Sequence, residues 1–289
     1  DWLDSNIIAL FAVVAAMAGM LFLWRVLNYR NPIIYLDTLA DRNFLVGCLI
    51  STVVGFGMFG NVFLTPQFLS HIRGFNTLQI GQTMIYQGVG MLITVPIVAL
   101  LLNRVDKRLL IGIGLAMMAA GTWFNGELTS DWGVEQLIIP QLLRGAGLLF
   151  AMMPATDLAL GTLPLEKVKN ASGLLNLVRS LGAAMGLAAI ATLLRDRFYL
   201  HHARLAETII PGDPKTQSAL EDFAGRAANM LNADPQAAGL KIIDQMLSQQ
   251  ALIMTYNDIY HLIGAVFVVV IFLLPLTRKP THAVEPVFP

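Results

Sequence analysis

The sequence predicts an all-α membrane protein, and its composition, its hydropathy and the length of its apolar runs are the observations that do so. Of 289 residues, 56% are hydrophobic and 13% charged. Mean hydropathy is +0.64. Soluble domains carry about 25% charged residues, so this chain holds roughly half the usual charge. A bilayer is the solvent that matches so apolar a surface. Lys plus Arg number 19, as do Asp plus Glu, a balance that offers nothing to a nucleic-acid backbone. The single cysteine, Cys48, lies in an apolar run and cannot form an intramolecular disulfide. It reads as a small packing residue.

A helical span needs about 20 mostly apolar residues. The runs that qualify cover 6–24, 44–64, 81–102, 109–124, 136–160, 174–194 and 256–276. They are long and do not alternate, which argues for helices over barrel strands. The chain begins at Asp1 rather than Met and reads as an excerpt of something longer. Its first apolar run has an acidic leading flank (Asp1, Asp4) and a basic trailing one (Arg25, Arg30), the reverse of a secretory signal.

Basic residues orient the spans. With the first span entering from the periplasm, cytoplasmic segments hold Arg25, Arg30, Arg42, Arg104, Lys107, Arg108, Lys167, Lys169, Arg278 and Lys279. The short periplasmic loops hold Arg73. Segment 28–43 is a cytoplasmic linker in which Pro32 precedes Ile33, Ile34, Leu36 and Leu39. It reads equally as an interfacial amphipathic helix and as a plain tether. Segment 195–255 reads as a long periplasmic loop, broken by Pro211, Gly212 and Pro214. Helical spacing of apolar residues then predicts extramembrane helices over 216–231 and 235–250.

Gly55-Phe56-Gly57-Met58-Phe59-Gly60 matches GxGxxG but sits inside a span, without the strand that a dinucleotide site requires. Close helix packing is the better reading, and the same holds for Gly182 and Gly186. The turn Asn103-Arg104-Val105-Asp106-Lys107-Arg108 joins two spans on the cytoplasmic side. Its bland role is a positive-inside anchor, and its functional role is that of a gating loop, an ionic latch between helix ends that opens and closes. Arg144 and Arg179 fall within spans, where an arginine costs about 2.5–3.5 kcal/mol on insertion scales. Arg144 lies deep, which points to a protein interior or a watered cavity. Arg179 is near enough to the cytoplasmic end to snorkel. Asp157, after Pro154, reads as a hydrated end residue or a proton carrier. Pro66, Pro96, Pro140, Pro154 and Pro275 read as interrupting or ending spans. Met58, Phe59, Phe63, Gln87, Met91, Gln141 and Phe150 are candidates to line an apolar, adaptable cavity, with core or lipid packing as the plain alternative. Met152 and Met153 share that pattern. His71, His201 and His202 lack metal-ligand partners at useful spacing, and no Ser-His-Asp, HExxH or Walker pattern appears. The sequence calls for neither an enzyme nor a cofactor.

Several of these segments resemble one family. Arg104-Val105-Asp106-Lys107-Arg108 resembles the carboxy-half copy of the signature loop of the major facilitator superfamily, with Asn103 where an Asp usually stands. Leu143-Arg144-Gly145-Ala146-Gly147, running on to Met153-Pro154, is similar to the Arg-Gly-x-Gly…Pro pattern of that superfamily's tenth helix. Ala171 to Gly182 resembles the start of the eleventh. Together they resemble the EmrB/QacA branch, the fourteen-span drug:proton antiporters, and His201 to Glu207 is similar to the periplasmic loop of its EmrB-type members.

The resemblance implies a carboxy-terminal six-helix bundle at 44–289, preceded by one inserted transmembrane helix at 1–27 and the linker 28–43. It implies a missing amino-terminal half that carries the antiporter signature and the proton-binding acids. It implies proton-coupled efflux of lipophilic or cationic drugs by alternating access, from the bacterial inner membrane. The partners so implied are the lipid bilayer, small-molecule drugs, a periplasmic membrane-fusion adaptor and an outer-membrane channel of TolC type. His201, His202, Arg204 and Glu207 are the expected adaptor contacts. The alternatives are a same-fold exporter of a lipid, fatty acid or siderophore, and a non-transporting membrane scaffold, against which the intramembrane Arg144 argues.

Overall fold

The computed structural model describes residues 6–28, 36–209, 218 and 235–276. Among them, seven helices are long and apolar enough to cross a membrane. They are α1 (Asn6–Asn28), α2 (Arg42–His71), α3 (Thr77–Leu102), α4 (Lys107–Phe124), α5 (Val134–Leu160), α6 (Leu165–Glu207) and α7 (Pro235–Ile271). Each contains one of the expected spans, apart from the last few residues of the seventh.

Helix starts are set by local chemistry. Asp41 accepts the Phe44 N–H at 2.9 Å at the head of α2. Asn76 and Gln79 exchange hydrogen bonds as a capping box on α3. The Asp106 carboxylate accepts the Arg108 N–H at 3.0 Å and caps α4. Within the spans, hydroxyls return to their own helix: Thr52 to Cys48 O, Thr94 to Gly90 O, Thr156 to Met152 O and Thr255 to Ala251 O. Such back-bonding satisfies a polar side chain where no water reaches.

In the bundle, α5 packs between α4 and α3, α2 pairs with α6, and α7 closes across α4, α6 and α2. The core is apolar and drawn from most of these helices: Ile50, Leu64 and Phe68 of α2, Leu115 and Met118 of α4, Leu148 and Ala151 of α5, Ile190 of α6, and Ile263 and Phe267 of α7. Phe68 and Tyr256 meet edge to face at 5.8 Å. Cys48 is buried, in a smaller cluster with Phe44 and Ala159. Outside this bundle, α1 buries Val26 and exposes nearly all its other apolar side chains.

Glycines mark the close approaches. A Cβ on Gly55 would lie 2.3 Å from the Arg179 carbonyl oxygen, and one on Gly182 would lie 2.2 Å from that of Thr52. Gly55 and Gly60 of the GxGxxG stretch and the GxxxG pair thus line the α2–α6 seam, while Gly57 makes room for Phe267 of α7.

Two expectations are corrected. The chain does not leave the helix at residue 195: α6 continues unbroken to Glu207. The helix expected over 235–250 exists, but as the first turns of α7, continuous with the last span. The charged residues from Arg195 onward lower hydropathy without breaking helical geometry, and Arg197, His201 and His202 among these residues pair with α7. The helix expected over 216–231 lies outside the described residues, apart from Ser218, as does the linker up to residue 35. From Leu36 to Ala40 the linker is a 3-10 turn. The prolines also behave differently, since Pro66, Pro96, Pro140 and Pro154 sit inside continuous helices. Packed neighbours tolerate them there. Pro275 lies in a 3-10 turn after α7.

Candidate functional site

Arg144 is the largest fully buried side chain, 1% exposed. Gly121 makes room for it, because a Cβ there would meet Arg144 Cγ at 2.9 Å. Its guanidinium donates to Asn61 Oδ1 at 2.7 Å and to Thr65 Oγ1 at 3.4 Å, both on α2. The Thr65 hydroxyl lies 3.0 Å from the Tyr260 hydroxyl of α7. The Asn61 amide donates back to Gly57 O at 2.7 Å and reaches Thr122 Oγ1 of α4 at 3.4 Å. Among the described residues no carboxylate pairs with Arg144, and its Nε has no hydrogen-bond partner. A full positive charge is therefore held inside the bundle by neutral oxygens alone. Such an arrangement is costly in apolar surroundings and marks a functional candidate.

Gln141, one turn before Arg144, is fully buried and donates to the Met84 sulfur at 3.3 Å, while its Oε1 has no partner. The other candidate cavity residues are spread out. Met58, Phe63 and Met91 pack at the edge of the core, Phe59 is exposed, and Gln87 and Phe150 are half-buried.

The cytoplasmic end is fastened by polar ties. Lys107 at the start of α4 pairs with Asp157 near the end of α5 at 2.6 Å. Lys167 of α6 binds Asp37 in the linker turn, and Thr162 donates to Asp41 at 3.0 Å. The Lys167 ammonium holds the Asp37 carboxyl below the ordinary carboxylate range. That tie is present at neutral pH and is lost as pH falls through the lowered value. In the signature loop, Asp106 is occupied with its own helix as a cap, Asn103 ends α3, and Asn103 and Arg104 are exposed. The charge that crosses between helices is Lys107. Arg179 bonds Asn176 on its own helix at 3.1 Å.

At the opposite end, His201 is buried and lies 2.9 Å from an Asp258 oxygen, which Arg197 reaches at 3.4 Å. His202 lies 3.2 Å from Asp244. The paired histidines tie α6 to α7, whereas Arg204 and Glu207 are exposed. Among the described residues no cluster has the makings of a metal site. Sequence reasoning missed Asn61, Thr65 and Tyr260 as partners of Arg144, and it missed the Lys107–Asp157 pair. The one available signal was Asn61 and Thr65 one turn apart in an otherwise apolar run.

A model of the major facilitator superfamily matches residues 5–187. The chain is 28% identical over 273 residues to the colistin resistance protein EmrB of Acinetobacter baumannii, covering 94% of this chain and 53% of that protein. It is 29% identical over 287 residues to the multidrug export protein EmrB of Escherichia coli K12, covering 98% and 54%. To the fatty acid resistance protein FarB of Neisseria gonorrhoeae it is 28% identical over 284 residues, covering 98% and 55%. The chain spans about half the length of the curated relatives it matches.

Proposed function

The chain belongs to the major facilitator superfamily and is a multi-pass inner-membrane protein, and on that premise we propose that it is the carboxy-terminal bundle of a drug exporter. The exporter moves lipophilic or cationic drugs outward in exchange for protons, by alternating access between this bundle and an amino-terminal one. It is a transporter rather than an enzyme. The observation that carries the reading is the similarity along 98% of the chain to a multidrug export protein. In this reading α1 is the inserted helix, Arg144 with Asn61, Thr65 and Tyr260 is the polar centre of the bundle, and the Lys107–Asp157 pair is the latch at its cytoplasmic end. The name of the Neisseria relative supports a second reading, export of fatty acids by the same machinery.

The test uses the full-length transporter in everted membrane vesicles, with a panel of cationic dyes and a fluorescent fatty acid. Dye accumulation that collapses on adding an uncoupler is the expected result. Accumulation that an uncoupler leaves intact would remove proton coupling, and movement of the fatty acid alone would select the second reading. The latch has its own test. A half-exposed ion pair contributes about 0–1 kcal/mol, so Asp157→Asn should fold normally but transport more slowly, and Lys107→Asp with Asp157→Lys should restore part of the rate. Asp106→Asn keeps the cap and separates capping from charge. Unchanged rates in all of these leave the loop as an insertion anchor only.

We also propose that the α6–α7 extension docks a periplasmic adaptor leading to a TolC-type channel. The exposed Arg204 and Glu207 are the contacts, and His201 and His202 hold the platform together. Arg204→Glu with Glu207→Lys should reduce adaptor co-purification several-fold while vesicle transport persists. Undiminished co-purification would exclude this surface.

A further inference from the structure

An open groove of about 610 Å³ runs between α4 and the end of α7. One wall is Leu109, Gly112, Ile113 and Ala116, and the other is Ile271, Leu274 and Pro275. Across the groove, Leu274 Cδ1 lies 3.4 Å from where a Cβ on Gly112 would stand, so the two walls meet there at ordinary contact distance. Leu109 and Ile113 are 58% and 39% exposed. Among the described residues of the lining the polar ones are Asp106 and Arg108, which sit together at the basic end of the bundle.

The charges at that end are not equally committed. Asp106 caps α4 and Lys107 pairs with Asp157. Arg108 makes no ion pair among the described residues, and its buried Nε lacks a hydrogen-bond partner. Arg104 stands exposed nearby. The start of a helix adds its own positive field. From Arg108 to Ala116 the apolar wall runs about 12 Å along α4, enough for a substantial part of an acyl chain.

We propose that this groove binds one anionic glycerophospholipid of the inner leaflet, its phosphate on Arg108 and one acyl chain along Leu109, Ile113 and Ala116. One wall belongs to α4 and the other to the last turn of α7 and the 3-10 turn that follows it, so an occupant reaches the groove from the bilayer. The uncommitted cation at the head selects negative charge. The site is independent of which substrate the exporter carries.

Native mass spectrometry of the purified, delipidated full-length protein tests this, with phosphatidylglycerol, phosphatidylcholine and soluble glycerol 3-phosphate as probes. One phosphatidylglycerol should be retained about tenfold better than phosphatidylcholine, as one charge-assisted contact implies. Arg108→Gln should erase the preference. Ile113→Trp, which fills the groove, should lower retention as well, with Ala116→Phe replacing it if that variant is not monodisperse. Lys169→Gln, an exposed cation at the same end but outside the groove, should change nothing. Equal retention of the two lipids overturns the proposal, including the case where the chain's own residues beyond 276 cover the groove. Loss in the arginine variant alone, or in the groove variant alone, overturns it too. So does glycerol 3-phosphate binding as tightly as phosphatidylglycerol.

Discussion

Arg144→Ala is expected to abolish transport and to destabilise the bundle by about 2–4 kcal/mol, the combined effect of a cavity and stranded hydrogen-bond groups. Removing the guanidinium leaves Asn61 Oδ1 without its donor in a region where water does not replace it. The two consequences are separable. Arg144→Met fills similar volume and carries no charge, so it removes the cavity and leaves the cost of the stranded Asn61 and Thr65 oxygens, about 1–3 kcal/mol. If the cation serves the transport cycle, the methionine variant should be folded and inactive. Arg144→Lys keeps the charge but lacks the planar fork that spans Asn61 and Thr65, so it should keep part of the activity. Thermal unfolding of the detergent-solubilised protein and vesicle transport, measured on the same preparations, make the comparison. Full activity in the lysine and methionine variants alike would make Arg144 a structural residue.

Gly145→Val should be the most damaging change that removes no polar group. A Cβ at this position would lie 2.1 Å from the Gln87 carbonyl oxygen of α3. The neighbour is backbone, so the clash is relieved only by moving one helix away from the other by more than an ångström. Overpacking of a tight seam typically costs about 1–3 kcal/mol, and here the α3–α5 seam opens along its length. Loss of folded protein on size exclusion is the expected result. Gly173→Ala is the matched control: nothing lies within 4 Å of a Cβ there, and alanine improves helix propensity by about 0.8–1 kcal/mol. A Gly145→Val protein as stable as the control would show that α3 is not held against α5 in the membrane.

These predictions rest on features that were unequally legible in the sequence. The spans were legible because hydropathy over some twenty residues is a local quantity. Their outer limits were not: Arg195 to Glu207 is polar yet helical, and polarity says where lipid ends, not where a helix ends. Arg144 was legible as an anomaly, since a lone arginine in an apolar run is conspicuous by itself. Its partners were not, because Asn61 and Thr65 lie 83 and 79 residues away along the chain. The signature loop was legible as a charged turn, but which charge crosses to another helix depends on packing. Asp106 turned inward to cap α4, and the crossing pair fell to Lys107 and Asp157. The resemblance located the family and the order of the helices, and pairwise geometry had to come from the fold.

The length of α6 has a mechanical meaning. At 43 residues it measures about 64 Å, twice the hydrocarbon thickness of a bilayer. After Gly186 it contains neither glycine nor proline, the usual sites of kinking, and α7 braces it through Asp258 and Asp244. A helix of this kind is a stiff lever. Its tip at Glu207 stands about 35 Å from the middle of its span, so a tilt of about 10° in the membrane sweeps the tip through about 6 Å. Rocking too small to register inside the bilayer becomes, at the outer end, a displacement of the size that makes or breaks a side-chain contact.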